Sequence, residues 1–212
     1  MIPLRQSFRN ILLVLLALLI GGCGMALPGR QQLPQHRQMA SLPAGSICRV
    51  AVLPFLNDSD YPLADAIFAK VFAAQLNVSG NYLFAQEGDI LKIYQQLRLL
   101  PGEAPTPEQL QLIASRLDAQ LLITGTVIEM RENPGLGASV NPVLAVDVLL
   151  LDGQSSEPLW GAYHRRQGTD YRTTMHFGTI QTVTGLSRQV AEEIINLWFK
   201  KGLPRCDVLP RS

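Results

Sequence analysis

The stretch AQLLITGTVIEM, residues 119–130, predicts a long buried strand, because aliphatic and β-branched residues dominate it. Two further strand-forming stretches follow it closely: PVLAVDVLLLDG at 142–153 and PLWGAYHRR at 158–166. The turn-forming sequence GQSSE joins the second strand to the third. Short connections join strands in antiparallel fashion, so these three strands are expected to form an antiparallel sheet.

The rest of the chain adds strands and helices around this sheet. CRVAVLPFLN at 48–57 and NYLFAQ at 81–86 read as strands. Apolar residues at helical spacing predict helices over 62–77, 88–100 and 179–200, and one that opens at Thr106. There Thr106 and Gln109 have the spacing of a capping box, with Pro107 at the first turn. The predicted class is α/β of the α+β type, with a mixed, largely antiparallel sheet of about five strands flanked by helices in the order β-α-β-α-α-β-β-β-α.

The N-terminus carries an apolar run from Ile11 to Ile20 behind Arg5 and Arg9, shorter than the ~20 residues of a membrane-spanning helix. It ends in Ile20-Gly21-Gly22-Cys23, which resembles the bacterial lipobox. That resemblance implies that Cys23 receives a diacylglycerol, that the signal is cleaved before it, and that its new amine is acylated, for example with palmitate. The alternative is an uncleaved anchor with an incidental cysteine.

These features divide the chain into four parts. Residues 1–22 are the predicted lipoprotein signal peptide, 23–46 a lipidated flexible tether rich in Pro, Gln and Gly, 47–202 a periplasmic domain, and 203–212 a C-terminal tail. Gly24 follows Cys23 where enteric bacteria place an Asp for inner-membrane retention. By that resemblance the expected location is the periplasmic face of the outer membrane.

Charge and cysteine content limit the function classes. The formal charge of +1 falls to about −1 once the signal is removed, which excludes the electrostatic footprint of a nucleic-acid-binding protein. Lipidation of Cys23 leaves Cys48 and Cys206 as two thiols in an oxidising compartment. A disulfide between them is expected, and two separate reduced thiols are the alternative.

The domain resembles a known group of bacterial envelope proteins. VAVLPF at 50–55, LLITGTVIE at 121–129 and LWGAYHRR at 159–166 are similar to strands of the TolB N-terminal/CsgG/PelC group. The resemblance implies a periplasmic domain that acts by assembly, often in rings that serve polysaccharide or protein export. The connection from Arg131 to Asn141 is too short for a pore-forming hairpin, since each barrel strand needs ~9–11 residues. PelC-like accessory proteins are therefore the nearer comparison.

No residue set points to catalysis, a metal or a cofactor. PGLGAS at 134–139 lies between two strands and opens no helix, as a phosphate-binding loop would. Asp58 and Asp60 suit turn chemistry better than a calcium loop. His164 and His176 lack the spacing of zinc ligands, with His164 expected on a solvated strand end, and Cys48 has no evident base. We therefore predict a protein that is not an enzyme.

One segment is a candidate contact surface. YHRRQGTDYRTTMHFG at 163–178 links the last strand to the last helix and carries the arginines and aromatic residues that interfaces favour. The candidate interface residues are Tyr163, Arg165, Arg166, Tyr171, Arg172 and Phe177. The alternative is a solvated loop whose aromatic side chains cover the edge of the sheet.

Two functional hypotheses follow. The first is a non-catalytic accessory or scaffold subunit of an envelope export or assembly system, for polysaccharide or protein secretion, which binds protein partners and forms a homo-oligomer. The second is a tethered periplasmic regulator of a cell-wall synthase. A hydrolase has no supporting residues. Neighbouring export genes would favour the first hypothesis, and wall-synthesis genes the second.

Overall fold

A seven-stranded sheet organises the part of the chain that the computed structural model describes, residues 32–100, 102–135, 139–173 and 177–206. The strands are β1 (Gln35–Gln38), β2 (Arg49–Val52), β3 (Leu56–Asn57), β4 (Leu83–Phe84), β5 (Leu121–Pro134), β6 (Val140–Asp152) and β7 (Pro158–Gln167). Their order across the sheet is β1-β7-β6-β5-β2-β4, with β3 also paired to β5.

The strand pairing confirms the predicted fold class. β5, β6, β7 and β1 pair antiparallel in turn, whereas β2 pairs parallel with β5 and with β4. The short connections between β5, β6 and β7 produce the antiparallel arrangement expected for them. The described sheet has seven strands where the sequence suggested about five, because β1 and β3 were not anticipated.

Four α-helices lie within the described residues: α1 (Ala64–Gly80), α2 (Glu87–Gln96), α3 (Pro107–Leu117) and α4 (Val183–Lys200), with a 3-10 helix at Gly168–Tyr171. The predicted capping box opens α3. The Gln109 backbone N–H donates to the Thr106 hydroxyl at 3.3 Å, and the Thr106 N–H donates to the Gln109 side chain at 2.8 Å. Two backbone donors at the start of α3 are thus satisfied. No helix among the described residues has the length and apolar character needed to cross a bilayer.

Pro54 divides what the sequence suggested was one strand. β2 ends at Val52 and β3 begins at Leu56, and both pair with β5. Proline has no N–H to donate, so a strand ladder cannot run through it. The Pro54 carbonyl instead accepts a hydrogen bond from the Thr124 hydroxyl at 3.3 Å. Between Val52 and Leu56 the chain has one more residue than β5 has between their partners Ile123 and Thr126, so the pairing shifts by one residue.

The segment predicted to be a flexible tether contains β1, which corrects the predicted start of the domain at residue 47. Gln35–Gln38 pairs with β7, and the backbone N–H groups of Met39 and Ala40 both donate to the Leu159 carbonyl. The sequence QHRQ lacks the apolar alternation by which strands are usually recognised. Backbone hydrogen bonds to β7 and the ion pair of Arg37 with Asp147 hold this polar strand in the sheet. Residues 1–31, including Cys23 and the predicted signal peptide, lie outside the described residues.

The predicted C-terminal tail also begins too early, since residues 203–206 pack on the domain. Leu203 and Cys206 are buried, and the Cys206 N–H donates to the Gly80 carbonyl at 3.1 Å. A disulfide joins Cys206 to Cys48, whose Cα atoms are 4.8 Å apart. This bridge ties the segment before β2 to the segment after α4.

Two apolar cores lie on opposite faces of the sheet. The larger one is covered by α1 and α4 and contains a chain of aromatic contacts, in which the Phe72 ring lies 5.8 Å from both the Phe68 and Trp198 rings. The smaller core is covered by α2 and α3 and includes Leu122 and Ile113. All the residues of both cores lie between Ile47 and Cys206.

Candidate functional site

The alternation of side chains along β7 separates the residues predicted to form one contact surface. Arg166 and His164 face the larger core and are each only 3% exposed. Arg165 faces the opposite side of the sheet, where its side chain is 44% exposed. The prediction that Arg166 belongs to a contact surface is therefore wrong, and so is the expectation that His164 is solvated. Neighbouring residues of a strand point to opposite faces.

Glu193 of α4 contacts the two buried basic side chains of β7, Arg166 and His164. Its carboxylate accepts hydrogen bonds from Arg166 Nε at 3.1 Å and Arg166 Nη2 at 3.0 Å. The Tyr171 hydroxyl donates to it at 3.0 Å, and His164 Nε2 contacts it directly. The Arg166 guanidinium also lies over the Tyr171 ring, 4.7 Å from its centroid. The four residues form one buried polar cluster between α4 and the sheet, hereafter the Glu193 cluster.

The pKa shifts of Glu193 and Tyr171 indicate the charge that each carries at neutral pH. Burial alone would raise the pKa of Glu193, but hydrogen bonds from His164 and Arg166 outweigh it and lower the pKa to about 2. Burial raises the pKa of the Tyr171 hydroxyl. The Glu193 carboxylate is thus ionised and the Tyr171 phenol neutral at neutral pH, which suits a structural ion pair.

Sequence reasoning missed Glu193, although a signal for it exists. Val190 and Leu197 lie on one apolar stripe of the last helix, and Glu193 lies between them at helical spacing. An acidic residue on an apolar stripe needs a partner, and Arg166 supplies it. The partner could not be assigned in advance, because it lies on a strand 27 residues away.

A second set of ion pairs crosses the opposite face of the sheet. Arg165 of β7 and Glu129 of β5 lie on either side of Ala145 in the register of β6, and Arg165 Nε is 2.8 Å from Glu129 Oε2. Arg131 adds a contact of 2.7 Å to the same carboxylate. The small Ala145 side chain lets the pair meet above the middle strand. Partly exposed pairs of this kind contribute little to stability.

Arg37 reaches across β7 in the same manner. Its Nη2 donates to both Asp147 carboxylate oxygens at 2.7 Å, passing above Gly161, the residue paired with Arg37. A Cβ at position 161 would lie 3.0 Å from the Arg37 guanidinium. This pair could not be predicted, because Arg37 lies in the segment that was expected to be a flexible tether.

The remaining predicted interface residues fall in different environments. Tyr163 is partly buried on the outer face of β7, and Tyr171 is partly buried in the Glu193 cluster. Arg172 is exposed, and Phe177 is 74% exposed. The structure therefore does not bring the six predicted residues together as one surface. His176 lies outside the described residues.

A cleft of about 700 Å³ lies between α1 and α2. Its walls come from the β2–β3 link, one face of α1, the inner side of α2 and the loop that follows α2. Four alanines of α1 line it, Ala66, Ala69, Ala73 and Ala74, together with the polar residues Asp65, Lys70 and Asn77 of the same helix. Sequence reasoning missed this cleft, because its walls come from segments far apart in the chain. We call it the α1–α2 cleft.

The polar groups that line the α1–α2 cleft include one buried hydroxyl and four charged side chains. Tyr94 lines it, is only 7% exposed, and has no hydrogen-bond partner for its buried hydroxyl. Burial also raises the pKa of that hydroxyl. Asp65, Glu87, Glu103 and Lys70 are the charged residues among those lining the cleft. Lys70 pairs with Glu87 at 3.3 Å, which leaves a net negative charge.

The acidic turn and the glycine-containing stretch that the sequence analysis considered lie apart from the Glu193 cluster in the chain. Asp58 and Asp60 are exposed, and the turn that contains them is held by the Asn57 side chain, which accepts hydrogen bonds from Ser59 and donates to the Tyr61 carbonyl. Residues 136–138 of the PGLGAS stretch lie outside the described residues. Among the residues that the structure describes, no group of three or more His, Cys, Asp or Glu side chains could hold a metal ion.

Comparison with solved structures finds several proteins to which this chain is similar. The PelC dodecamer from Paraburkholderia phytofirmans matches with a TM-score of 0.51 and 19% identity, over 76% of this chain and 96% of that chain. Lipoprotein GNA1162 from Neisseria meningitidis matches with a TM-score of 0.50 and 14% identity, over 72% of this chain and 99% of that chain. The LpoB C-terminal domain from Salmonella enterica gives a TM-score of 0.45 at 16% identity, over 59% of this chain and 87% of that chain.

The first two likenesses show a fold that is shared with a bacterial protein that forms a dodecamer and with a bacterial lipoprotein. They confirm the predicted resemblance as far as the PelC fold, whereas membership in the wider TolB N-terminal/CsgG group stays a prediction. No protein-family model and no curated protein sequence matches the chain.

Proposed function

We propose that this chain is a non-catalytic outer-membrane lipoprotein that acts as an accessory or scaffold subunit of an envelope export or assembly system. It is anchored through lipidated Cys23, faces the periplasm, and works by associating with copies of itself and with protein partners. The observation that carries the proposal is the fold shared with a subunit of the PelC dodecamer over nearly the whole of that subunit.

The arrangement of the ionic groups supports a binding role. The buried carboxylate and guanidinium of the Glu193 cluster are paired with each other within the core. The ion pairs on the outer face of the sheet also join residues of this chain to one another. The large cleft is lined mainly by apolar residues. A cleft lined by apolar residues suits the binding of another molecule, and these ionic groups already have partners within the chain.

The length of the tether bears on the choice between the two hypotheses. Because β1 begins at Gln35, the predicted tether of residues 23–46 overlaps the domain, and only the residues before β1 can serve as a tether. The twelve residues from Cys23 to Gln35 could span at most about 40 Å when fully extended. A domain held within this distance of a lipidated Cys23 would stay close to the membrane, which suits a scaffold subunit.

Crosslinking in intact cells tests this proposal. The wild-type protein should fractionate with the outer membrane and should crosslink to other copies of itself in a ladder of multiples, and to components of an export or assembly system. The Cys23→Ala variant should be released to the soluble fraction or remain unprocessed. A protein that crosslinks only as a monomer to a cell-wall synthase would contradict the proposal and favour the regulator hypothesis.

A further inference from the structure

We propose that β1 is a detachable strand, which pairs with β7 while His36 is neutral and leaves the sheet when His36 is protonated. Three features of the described residues carry this inference. The ring nitrogens of His36 are buried and unpaired, a lysine lies close enough to repel a charge on the ring, and few other contacts hold the strand.

The register of β1 places His36 on the face of the sheet that carries the larger core. His36 is paired with Ala162, which is buried in that core. On the same face of β7, the Trp160 and His36 rings meet edge-on, with their centroids 5.3 Å apart. Arg37 faces the opposite side of the sheet, where it pairs with Asp147. The His36 ring is thus part of the contact by which β1 covers Trp160, which is only 3% exposed.

The two ring nitrogens of His36 are buried, and neither has a hydrogen-bond partner among the described residues. A neutral imidazole at such a site leaves one N–H and one lone pair unsatisfied. Protonation adds a second unsatisfied N–H and a net charge, and a buried charge without a partner costs far more than a buried neutral group. Once β1 has left the sheet, water would solvate both N–H groups. Protonation of His36 therefore favours the released strand.

The charged groups near His36 either oppose its protonation or are already paired. Lys201, directly after α4, repels a positive charge on the ring. His164, on the same face of β7, contacts Glu193 of α4, and that carboxylate is also paired with Arg166. Burial and the charge of Lys201 both lower the pKa of His36 below its ordinary value of 6.5.

The lowered pKa of His36 fixes the direction of the pH effect. The paired strand binds a proton less readily than the released strand, in which His36 has its ordinary pKa of 6.5. Pairing of β1 is therefore at full strength above pH 6.5 and weakens as the pH falls from there to the lowered pKa. Each unit between the two pKa values weakens the pairing about tenfold in the fully protonated protein.

Few other contacts hold β1 in place. Gln35, Arg37 and Gln38 are exposed, and no side chain of β1 is among the buried residues of either core. The Arg37 side chain is 52% exposed where it pairs with Asp147, and ion pairs at the surface contribute little. The remaining anchors are backbone hydrogen bonds to β7 and the burial of Pro34. Since β1 lies at the edge of the sheet, it also pairs on one side only.

Release of β1 would change how far the domain can stand from the membrane, a consequence that rests on the proposed lipid anchor at Cys23. With β1 paired, the chain from Cys23 to Gln35 spans at most about 40 Å. After release, the next residue that packs against the larger core is Ala40, and the chain from Cys23 to Ala40 spans at most about 55 Å. The edge of β7 would also become free to pair with a strand of another protein.

A pH titration of the soluble mature chain, residues 23–212 with Cys23→Ala, tests the release of β1. The pKa of His36 is measured from deuterium exchange of its ring C2 hydrogen, read by mass spectrometry on the peptide that contains it. Release is measured between pH 7.5 and pH 5 as the access of the quencher acrylamide to Trp160. Trp198, the other tryptophan of the chain, is fully buried in the larger core and supplies the inaccessible fraction.

The wild type should show a pKa of His36 below 6.5 and a rise in Trp160 quenching as the pH falls. The His36→Phe variant keeps an aromatic ring against Trp160 but has no proton to gain, so its quenching should stay low throughout. Lys201→Gln should raise the pKa of His36, whereas Lys200→Gln, the matched control on the neighbouring exposed lysine, should leave it unchanged. Circular dichroism verifies folding, and His36→Leu replaces His36→Phe if the latter is not folded.

Three results would overturn the inference. They are a pKa of His36 at or above 6.5, quenching of Trp160 that stays constant while His36 is protonated, and an equal pH response in His36→Phe, which retains the Glu193 cluster. The measurements need neither the lipid anchor nor a partner, so each of these results leaves the proposed function standing. Failure of Cys23 lipidation would instead remove the effect on reach and leave the release of β1 intact.

Discussion

The Arg166 guanidinium of β7 and the Glu193 carboxylate of α4 are joined by two hydrogen bonds of 3.1 and 3.0 Å in the core of the domain. The Arg166 side chain is 3% exposed, and that of Glu193 is 17% exposed. This pair connects the last strand directly to the last helix. It accounts for the interior position of an arginine whose sequence neighbour, Arg165, faces solvent.

Replacing Glu193 with Gln should destabilise the domain by about 3–5 kcal/mol, because the buried Arg166 charge would lose its closest counter-ion and keep only Asp170, at 3.9 Å. Glu192→Gln is the control, since Glu192 is the neighbouring residue and is exposed. It should change the free energy of unfolding by less than about 0.5 kcal/mol. Urea denaturation at pH 7 measures both. Equal effects of the two substitutions would show that the pair does not support the fold.

The stability that Glu193 contributes should depend on pH in one direction. Its pKa is about 2 in the folded protein against an ordinary value of 4.5, so the contribution is complete above pH 4.5 and is lost as the pH falls towards 2. The difference in unfolding free energy between the wild type and Glu193→Gln should therefore shrink steadily between pH 5 and pH 3. A difference that stays constant over this range would contradict the lowered pKa of Glu193.

The fold class could be predicted from the sequence, because its main signals are local. β5, β6 and β7 are long apolar runs joined by short turns, and such turns leave little choice of pairing. β1 could not be predicted, since it is held by backbone hydrogen bonds to β7 and by the long-range pair of Arg37 with Asp147. Contacts of that kind leave no periodic pattern in the sequence.

The candidate site was less predictable than the fold. The sequence showed that residues 163–178 combine arginines with aromatic residues, but not which faces they occupy. The strand extends to Gln167, and the resulting alternation sends Arg165 outward and Arg166 into the core. The α1–α2 cleft depends on how two helices and a loop pack together, so no single stretch of sequence could indicate it.

Removal of the Cys48–Cys206 bridge should lower the stability of the domain. The two cysteines are 158 residues apart, for which the chain-entropy model gives about 4–5 kcal/mol. A Cys48→Ser/Cys206→Ser variant in the Cys23→Ala background should unfold at lower urea concentration than its parent. The parent itself, unfolded without reductant, should show no free thiol after periplasmic expression. Two free thiols per chain would reject the bridge.

Gly125 should tolerate no larger residue. A Cβ there would collide with the Asp147 carbonyl oxygen and the Phe55 ring. Gly125→Ala should therefore destabilise the domain by about 1–3 kcal/mol through overpacking. Gly88→Ala is the matched control, because a Cβ at that position in α2 has no atom within 4 Å. It should stabilise the domain by about 0.4–1 kcal/mol. Thermal unfolding of both variants measures the contrast, which would vanish if β5 and β6 packed more loosely.

The association of identical copies is the central claim, and the particle mass of the soluble wild-type domain tests it most directly. Light scattering on the mature chain with Cys23→Ala should give a mass of several chains that persists on dilution into the low micromolar range. A mass of one chain at the highest concentration reached would contradict the claim.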